Sequence, residues 1–266
     1  MSNTLSRPVE SPAAEAPDPE PTPRVRGRSL GGYLFMPVML SAALLALYLW
    51  VSSRELTSGE QNRVNFDNIV TITQEHIWLT VVSTVLVLAI AIPLGILLTR
   101  PFARSITPPA IAVFNIGQAV PSIGLIALLA IGWNIGFWPV VVALVAYTVL
   151  PVLRNTMVGL QQVDDAVIES ARGMGMTKLG VLTRIELPLA VPIIMAGLRT
   201  ALTINVGTAT LAALVGAGGL GELIVAGIVQ NRQLITVVGA VLVAVLALLI
   251  DYLAGIAEEK LRPRGL

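Results

Sequence analysis

The sequence predicts an all-α membrane protein with about six transmembrane helices. Of its 266 residues, 55% are hydrophobic and only 12% are charged, about half the charged share of an ordinary soluble chain. Uncharged runs of about 20 residues, the length needed to cross a bilayer core, recur along the chain. Seventeen Lys and Arg residues nearly balance sixteen Asp and Glu residues. The basic surplus typical of nucleic-acid binding is missing, so nucleic acid is excluded as a partner.

Cysteine and histidine usage limits the chemistry of the chain. It has no cysteine and a single histidine, His76, which excludes a disulfide framework, a thiolate nucleophile and a Cys/His zinc site. The phosphate-binding pattern G-x-x-x-x-G-K-[ST] of ATPases is also absent. We therefore expect no catalytic residue, no metal ligand and no cofactor bound by this chain. We expect His76 to lie at the membrane interface.

The N-terminal region is predicted to consist of a tail and one helix. Residues 1–29 are rich in Pro, Glu and Ala and poor in large apolar residues, which predicts a disordered cytoplasmic tail. Residues 30–53 form the first uncharged run. Three arginines precede this run, as in a signal peptide, but the run is too long and no small-residue cleavage site follows it. We therefore expect residues 30–53 to be retained as a transmembrane helix.

Three further spans are predicted before the middle of the chain. Residues 77–99 supply the second span. No charged residue occurs from Ser105 to Leu153, and this length suits a third and a fourth span joined by a break at residues 133–136.

The last two spans complete the predicted bundle. The fifth lies within Leu187–Gly221 and the sixth within Gln233–Ile250. Residues 216–221 match G-x-G-x-x-G, but a nucleotide loop requires a preceding strand, so we expect a tight turn followed by a short helix at 220–229. Residues 258–266 are expected to form a cytoplasmic tail.

The basic residues predict the orientation of the chain in the membrane. With a cytoplasmic N-terminus and six crossings, thirteen Lys and Arg residues lie in cytoplasmic segments, and only Arg54, Arg63 and Arg232 lie outside. Cytoplasmic loops carry such an excess of basic residues. We therefore expect both termini in the cytoplasm.

A polar segment on the cytoplasmic side, residues 163–187, predicts two short amphipathic helices. The first carries acidic residues in its first turn and ends at Gly173 and Gly175. Thr177 is placed to cap the second helix, and Pro188 to begin the next span. On this pattern alone, two interfacial helices that merely bridge spans remain an alternative.

Six residues within this segment and directly after it fit the spacing E-A-A, three residues, G, nine residues, I-x-L-P, with Ser170 in place of the first alanine. The six are Glu169, Ala171, Gly175, Ile185, Leu187 and Pro188. This spacing resembles the EAA signature of permease subunits in bacterial binding-protein-dependent ABC importers. The resemblance implies a type I ABC importer permease core over residues 70–257, preceded by one extra helix, in an inner membrane. It also implies that helices 163–187 couple the permease to a separate ATPase.

The similarity extends over roughly residues 75–255. Residues 196–201 and 207–221 are similar to the osmoprotectant branch of this family, whose members import glycine betaine, carnitine or choline. The resemblance implies four kinds of partner. They are a dimer of ATPase subunits that bind ATP and Mg, a second permease subunit (identical or different), an extracytoplasmic substrate-binding protein and membrane lipid.

Polar residues inside predicted spans are candidates for the translocation pathway, because their desolvation is costly. Asn115, Gln118 and Ser122 share one face of the third span at helical spacing, and Asn205 and Thr208 lie on the fifth. Interhelical hydrogen bonding that only holds the bundle together is the alternative for each of them.

Arg199 is the one charge inside the fifth span. It follows Pro188 by about 16 Å of helix, and a buried cation needs an anionic partner, for which Glu186 and Asp251 are the candidates. We expect a gate at the cytoplasmic end, because a cation repels a quaternary ammonium cargo. Aromatic faces hold such a cargo better, but aromatic residues make up only 5% of the chain. We therefore expect the partner binding protein to select the cargo.

Three other functions are compatible with the sequence. The EAA-like spacing equally permits an importer of amino acids or of another small nutrient. An ion-coupled secondary carrier and a non-transporting membrane scaffold are the alternatives from other classes.

Overall fold

The computed structural model describes residues 30–261, and within this range the chain is helical with no strand. The predicted tail at residues 1–29, and residues 262–266, lie outside the described residues. The helices are α1 (Leu30–Ser52), α2 (Ser58–Val64), α3 (Phe66–Leu98), α4 (Thr107–Ala119), α5 (Ser122–Gly132), α6 (Phe137–Gln161), α7 (Asp165–Gly173), α8 (Lys178–Val181), α9 (Leu187–Ala209), α10 (Gly221–Val229) and α11 (Gln233–Leu261).

Five helical segments of the described chain are long and apolar enough to cross a bilayer: α1, α3, α6, the continuous rod from α8 through α9, and α11. Helices α4 and α5 supply a sixth span if they are counted together, although they meet at 93°. The expectation of about six transmembrane helices agrees with this architecture.

The bundle is centred on α3, α6 and α9, which share most of the buried apolar side chains. Small residues let these helices approach closely, because a glycine brings the backbone of one helix against side chains of the next. Gly95 of α3 packs on Thr156 of α6, and Gly159 of α6 packs on Ala190 of α9. The three helices therefore form the framework on which the sites described below are placed.

The outer helices complete the bundle around this centre. Helix α11 packs against α9 and α10. Helix α1 packs along α11 through Leu47, Trp50 and Val51, while most of its remaining large apolar side chains are exposed. Exposure of that kind is what a helix facing lipid requires, because lipid tails solvate apolar side chains.

The bundle has two ends, which are formed by different segments of the chain. At one end, called the coupling end, lie the loop after α3, helices α7 and α8, and the last turn of α11. At the other, called the glycine-turn end, lie α2, the loop between α5 and α6, and the turn at residues 216–220.

The third predicted span differs from the expectation of one straight helix. The chain leaves α4 at Val120, whose backbone is extended, and α5 begins after Pro121. A proline disfavours helical geometry in the residue before it, and the two helices bend by 93°. The break predicted at residues 133–136 is present, between α5 and α6.

Two further boundaries lie beyond their predicted positions. Helix α11 continues from the predicted sixth span to Leu261, so residues 258–261, expected in the tail, are helical. Helix α3 begins at Phe66, eleven residues before the predicted second span. His76 therefore lies inside α3 and is fully buried, which corrects its expected interfacial position.

Candidate coupling, gate and translocation sites

Helices α7 and α8, the predicted coupling helices, each begin at a side-chain cap. The carboxylate of Asp164 accepts a hydrogen bond from the backbone N–H of Ala166 at 2.8 Å. The hydroxyl oxygen of Thr177 accepts one from the N–H of Gly180 at 3.1 Å. Each cap satisfies a backbone donor that the first turn of a helix leaves unpaired. The predicted cap at Thr177 is confirmed.

The signature residues occupy contrasting positions in this helix pair. Ala171 is buried, whereas Glu169 is exposed on the same helix. Gly175 has φ +88° with open space around a would-be Cβ, so its requirement for glycine arises from backbone conformation and not from crowding. The three remaining residues are half-buried where the chain enters the membrane span: Ile185, Leu187 and Pro188.

Helix α8 is not the separate short helix that the sequence predicts. Helix α8 passes through a π-helical turn at Leu182–Glu186 directly into α9, and the helical rod from Lys178 to Val215 is continuous. Pro188 lies in the first turn of α9, directly after this π-helical turn, and the rod continues through it.

An ion pair at the coupling end joins two spans. Nη2 of Arg100, just after α3, lies 2.7 Å from Oε2 of Glu186, whose side chain is only 8% exposed. Glu186 was one of the two candidate partners of Arg199. It is paired with Arg100 instead, so this candidate is wrong. Sequence reasoning treated Arg100 only as a positive charge at the end of a span.

Arg199 is paired with the other expected partner, Asp251 of α11. Its Nη2 donates to Oδ2 of Asp251 at 2.7 Å, its Nε donates to Oδ1, and Nη1 lies 3.9 Å from Glu258. The pair with Asp251 is confirmed. The arginine side chain is 36% exposed in the described chain, so it is less deeply buried than its position in the span suggests. The network ties α9 to α11 near the coupling end.

Helix α1 is attached at the same end. The hydroxyl of Tyr252 on α11 donates to the carbonyl oxygen of Tyr33 at 2.7 Å, and the hydroxyl of Tyr33 donates to Glu259. The last two turns of α11 therefore carry contacts to both α9 and α1.

Asn205 lies at the centre of a buried polar cluster. Its Nδ2 donates to Ser83 Oγ at 2.9 Å and to Thr84 Oγ1 at 3.0 Å, and Thr148 Oγ1 donates to its Oδ1 at 3.4 Å. Asn205 itself is fully enclosed. These bonds link α9 to α3 and α6, and they match the interhelical alternative that the sequence left open. Thr208, its predicted companion, is half-buried.

The three polar candidates of the third span are separated by the bend. Asn115 and Gln118 lie on α4, whereas Ser122 begins α5, so the predicted common helix face does not form. Arg154 Nη2 donates to Asn115 Oδ1 at 2.9 Å. Gln118 Nε2 donates to the carbonyl oxygen of Tyr147 at 2.8 Å. Both bonds hold α4 against α6.

The glycine-rich segment forms the predicted turn. Gly216, Gly218 and Gly219 have φ of +64°, +79° and +91°, a region open to glycine at no steric cost. The carboxylate of Glu75 on α3 accepts the N–H of Gly219 at 2.9 Å. Helix α10 begins directly after the turn at Gly221, so the short helix expected at 220–229 is confirmed.

His76 lies beside this turn, inside the bundle. Its Nε2 donates to the carbonyl oxygen of Val206 at 3.0 Å. The bond joins α3 to α9 at the residue that follows Glu75.

Comparison with known proteins places this architecture among transport proteins. Residues 91–263 match the family described as the binding-protein-dependent transport system inner membrane component. The choline transport system permease protein OpuBB of Bacillus subtilis is 41% identical over 194 residues, which cover 73% of this chain and 88% of the relative. The osmoprotectant import permease protein OsmY of Salmonella typhimurium is 39% identical over 220 residues, covering 83% and 91%.

Solved structures show the same fold. The MetNI methionine ABC transporter, in inward facing conformations, matches with a TM-score of 0.65 and 25% identity over 73% of this chain and 96% of its own. A bacterial alginate ABC transporter matches with a TM-score of 0.56 at 15% identity, which supports the fold alone. The chain belongs to the family of inner membrane permease components of binding-protein-dependent transport systems.

Proposed function

We propose that this permease imports osmoprotectants that carry a quaternary ammonium group, such as glycine betaine, carnitine or choline. The observation that carries the proposal is the similarity to permeases named for these cargoes, at 37–41% identity over most of their length. The similarity to the methionine transporter is lower, at 25%.

Uptake measurements test the cargo. The permease gene, expressed with its neighbouring transporter genes in a host lacking osmoprotectant uptake, should restore accumulation of radiolabelled glycine betaine, choline or carnitine. Radiolabelled methionine and histidine serve as the matched amino-acid cargoes. Accumulation of an amino acid without any osmoprotectant would replace the proposed cargo by the amino-acid alternative.

Energy for transport comes, in this proposal, from a dimer of separate ATPase subunits that bind ATP and Mg and dock on α7 and α8. The support is the exposed Glu169 on α7 and the continuous rod from α8 into α9. A second permease subunit and an extracytoplasmic binding protein complete the complex. Copurification of the ATPase, the second permease subunit and the binding protein with the tagged permease tests the assembly, and a permease that transports after removal of the ATPase genes would contradict it.

The coupling end lies in the cytoplasm in this proposal, together with both termini. The support is the distribution of basic residues, since Arg100, Arg104, Arg172, Lys178 and Arg184 all lie at this end. Reporter fusions after residues 60 and 134 should be outside, and fusions after residues 104 and 175 should be inside. A cytoplasmic reporter at residue 60 would contradict the retained first span.

Arg199 and its acidic partners act as part of the inner gate. The ion pair with Asp251 connects α9 to α11 at the cytoplasmic end, where relative movement of the two helices opens or closes a pathway. Asn115, Gln118, Ser122 and Thr208 remain candidates for lining that pathway.

A further inference from the structure

A cavity at the glycine-turn end combines features that suit an organic cation. Its volume is about 280 Å³, slightly below the roughly 300–1,000 Å³ of pockets for drug-sized ligands. The cavity therefore suits a small molecule or the head of a larger one. Its walls come from α3, the start of α6, the glycine turn and the start of α10: Glu75, Trp78, Phe137, Gly216, Ala217, Gly218 and Glu222.

Two carboxylates give the cavity a negative potential. Within the described residues, no Lys or Arg lies within ion-pair distance of Glu75 or Glu222. Two of the basic side chains at this end have other partners: Arg232 lies 3.8 Å from Glu60, and Arg54 lies over the ring of Trp50. The cavity thus offers a cation two carboxylates that are not paired with a described Lys or Arg.

The position of Glu75 is held by the backbone. Its Oε2 accepts the N–H of Gly219 at 2.9 Å, and a Cβ at Gly218 would overlap the same carboxylate. One N–H donor leaves further lone pairs of the carboxylate unused. Glycine at 218 therefore keeps a carboxylate at the cavity wall, close to the turn.

Two aromatic rings line the same cavity. Trp78 is one α-helical turn from Glu75 on α3 and is 60% exposed, and Phe137 begins α6. Aromatic faces attract quaternary ammonium groups through the ring quadrupole, and they do so for groups that cannot donate a hydrogen bond. A small metal ion, by contrast, needs several oxygen ligands and gains nothing from indole or phenyl walls.

We propose that this cavity is a receiving subsite for the quaternary ammonium group of the cargo at the outer mouth of the permease. The inference rests on the proposed function for its cargo class and on the cavity itself for its chemistry. It changes the expectation that cargo recognition resides in the binding protein alone. Aromatic residues are scarce in the chain, yet two of them lie beside the two carboxylates of this cavity.

Binding to the full-length chain in lipid nanodiscs tests the subsite directly. Radiolabelled choline is the probe, with tetramethylammonium and Mg²⁺ as competitors. We expect saturable binding that tetramethylammonium displaces. Glu222→Gln and Trp78→Leu should each raise the Kd roughly tenfold, and Trp78→Phe should retain most of the affinity.

Matched controls lie at the same end of the molecule but outside the cavity. Glu55→Gln removes an exposed carboxylate and Trp133→Leu an exposed indole, so both should bind choline as the unmodified chain does. Equal purification yield and size-exclusion profile for all variants show that they are folded. An unchanged Kd in Glu222→Gln, absence of saturable choline binding, or displacement by Mg²⁺ but not by tetramethylammonium would overturn the subsite.

The same samples separate this inference from the proposed function. Uptake of glycine betaine or choline in cells, without choline binding to the permease, overturns the subsite and leaves the function intact. Tetramethylammonium-sensitive binding to a permease that transports only amino acids overturns the function and leaves the cation cavity intact.

Discussion

The two ends of the bundle are held together by different kinds of interaction. At the coupling end, charged side chains join neighbouring helices: Arg100 binds Glu186, and Arg199 binds Asp251. At the glycine-turn end, the backbone makes the decisive contacts, because a turn with three positive-φ glycines packs against Glu75 and against α10. Ion pairs tolerate sliding of long side chains, whereas close backbone packing tolerates little. The comparison indicates a glycine-turn end that is rigid around its cavity, and a coupling end where ion pairs can adjust around the close contacts of Gly95 and Gly159.

Gly221→Ala, at the rigid glycine-turn end, should lower the stability of the protein more than the other substitutions. A Cβ at this position would overlap the backbone of Thr210, and backbone cannot move aside as a flexible side chain does. We expect a loss of at least about 3 kcal/mol in unfolding free energy, seen as little protein in the membrane. Gly207→Ala is the control, because its Cβ would meet nothing within 4 Å. Normal accumulation of Gly221→Ala would contradict the rigid packing.

At the coupling end, Arg100→Ala leaves the buried carboxylate of Glu186 without its cation. We expect a loss of about 2 kcal/mol, measured as a lower thermal unfolding temperature in detergent. The exposed Arg184, on the same rod, supplies the control Arg184→Ala. Combining Arg100→Ala with Glu186→Gln should recover part of the loss, and a double variant no better than the single one would argue against the pair.

The ion pairs of Arg199, which we propose to form the gate, should respond less to substitution. Because Arg199 is 36% exposed, solvent screening reduces the cost of Arg199→Ala to about 1–2 kcal/mol. We expect a poorly assembled or leaky complex with raised ATPase activity in the absence of cargo. Arg199→Lys keeps the charge but loses the planar fork, and should be intermediate. Normal assembly and coupling with an altered cargo range would move Arg199 from the gate to the pathway.

Coupling itself should be sensitive to backbone strain at Gly175. Alanine at φ +88° costs about 1–2 kcal/mol locally, enough to displace the turn between α7 and α8 without unfolding the bundle. We expect uptake to fall severalfold at an unchanged membrane level, and Glu169→Lys to act similarly by reversing an exposed charge. Gly173→Ala is the control, since Gly173 is helical with open space around a Cβ. Unchanged uptake in Gly175→Ala and Glu169→Lys would rule out the coupling role.

The smallest expected effect concerns Glu60 in α2, at the rigid end. Hydrogen bonds from the backbone N–H and the hydroxyl of Thr57 lower the pKa of Glu60, with a smaller contribution from Arg232. A lowered folded-state pKa stabilises the fold above the unfolded pKa of about 4.3 and loses this contribution as the pH falls through the folded value. The Glu60→Gln variant should therefore unfold at a lower temperature than the unmodified chain near pH 7. This difference in unfolding temperature should shrink below about pH 4. A difference that is constant with pH would contradict the role of the carboxylate.

The sequence predicted the positions of the helices better than the side-chain contacts between them. Uncharged runs indicated α1, α6 and α11, and Thr177 indicated the start of α8, because these signals are local. The bend before Pro121 also has a local signal, since the residue before a proline avoids helical geometry, but the predicted common face of Asn115, Gln118 and Ser122 required a helix that continued through Pro121. Because of the bend, Ser122 does not lie on the helix face that carries Asn115 and Gln118.

Side-chain pairing depended on distances that no local pattern contains. Arg100 and Glu186 are 86 positions apart, so the competition between Arg100 and Arg199 for Glu186 was decided by how α3 and α9 pack. The same holds for Glu75, which contacts Gly219 across 144 positions. The cavity beside Glu75 exists only because three segments distant in sequence meet there.

The continuous rod from Lys178 to Val215 has a mechanical consequence. Its α-helical part alone, about thirty residues, is roughly 45 Å long, about one and a half times the thickness of a bilayer's hydrocarbon core. A push or twist applied at α8 is carried along this lever to the glycine turn without passing through a flexible joint. A displacement on one side of the membrane can thus be delivered to the other side by a single piece of backbone, with the π-helical turn at its base.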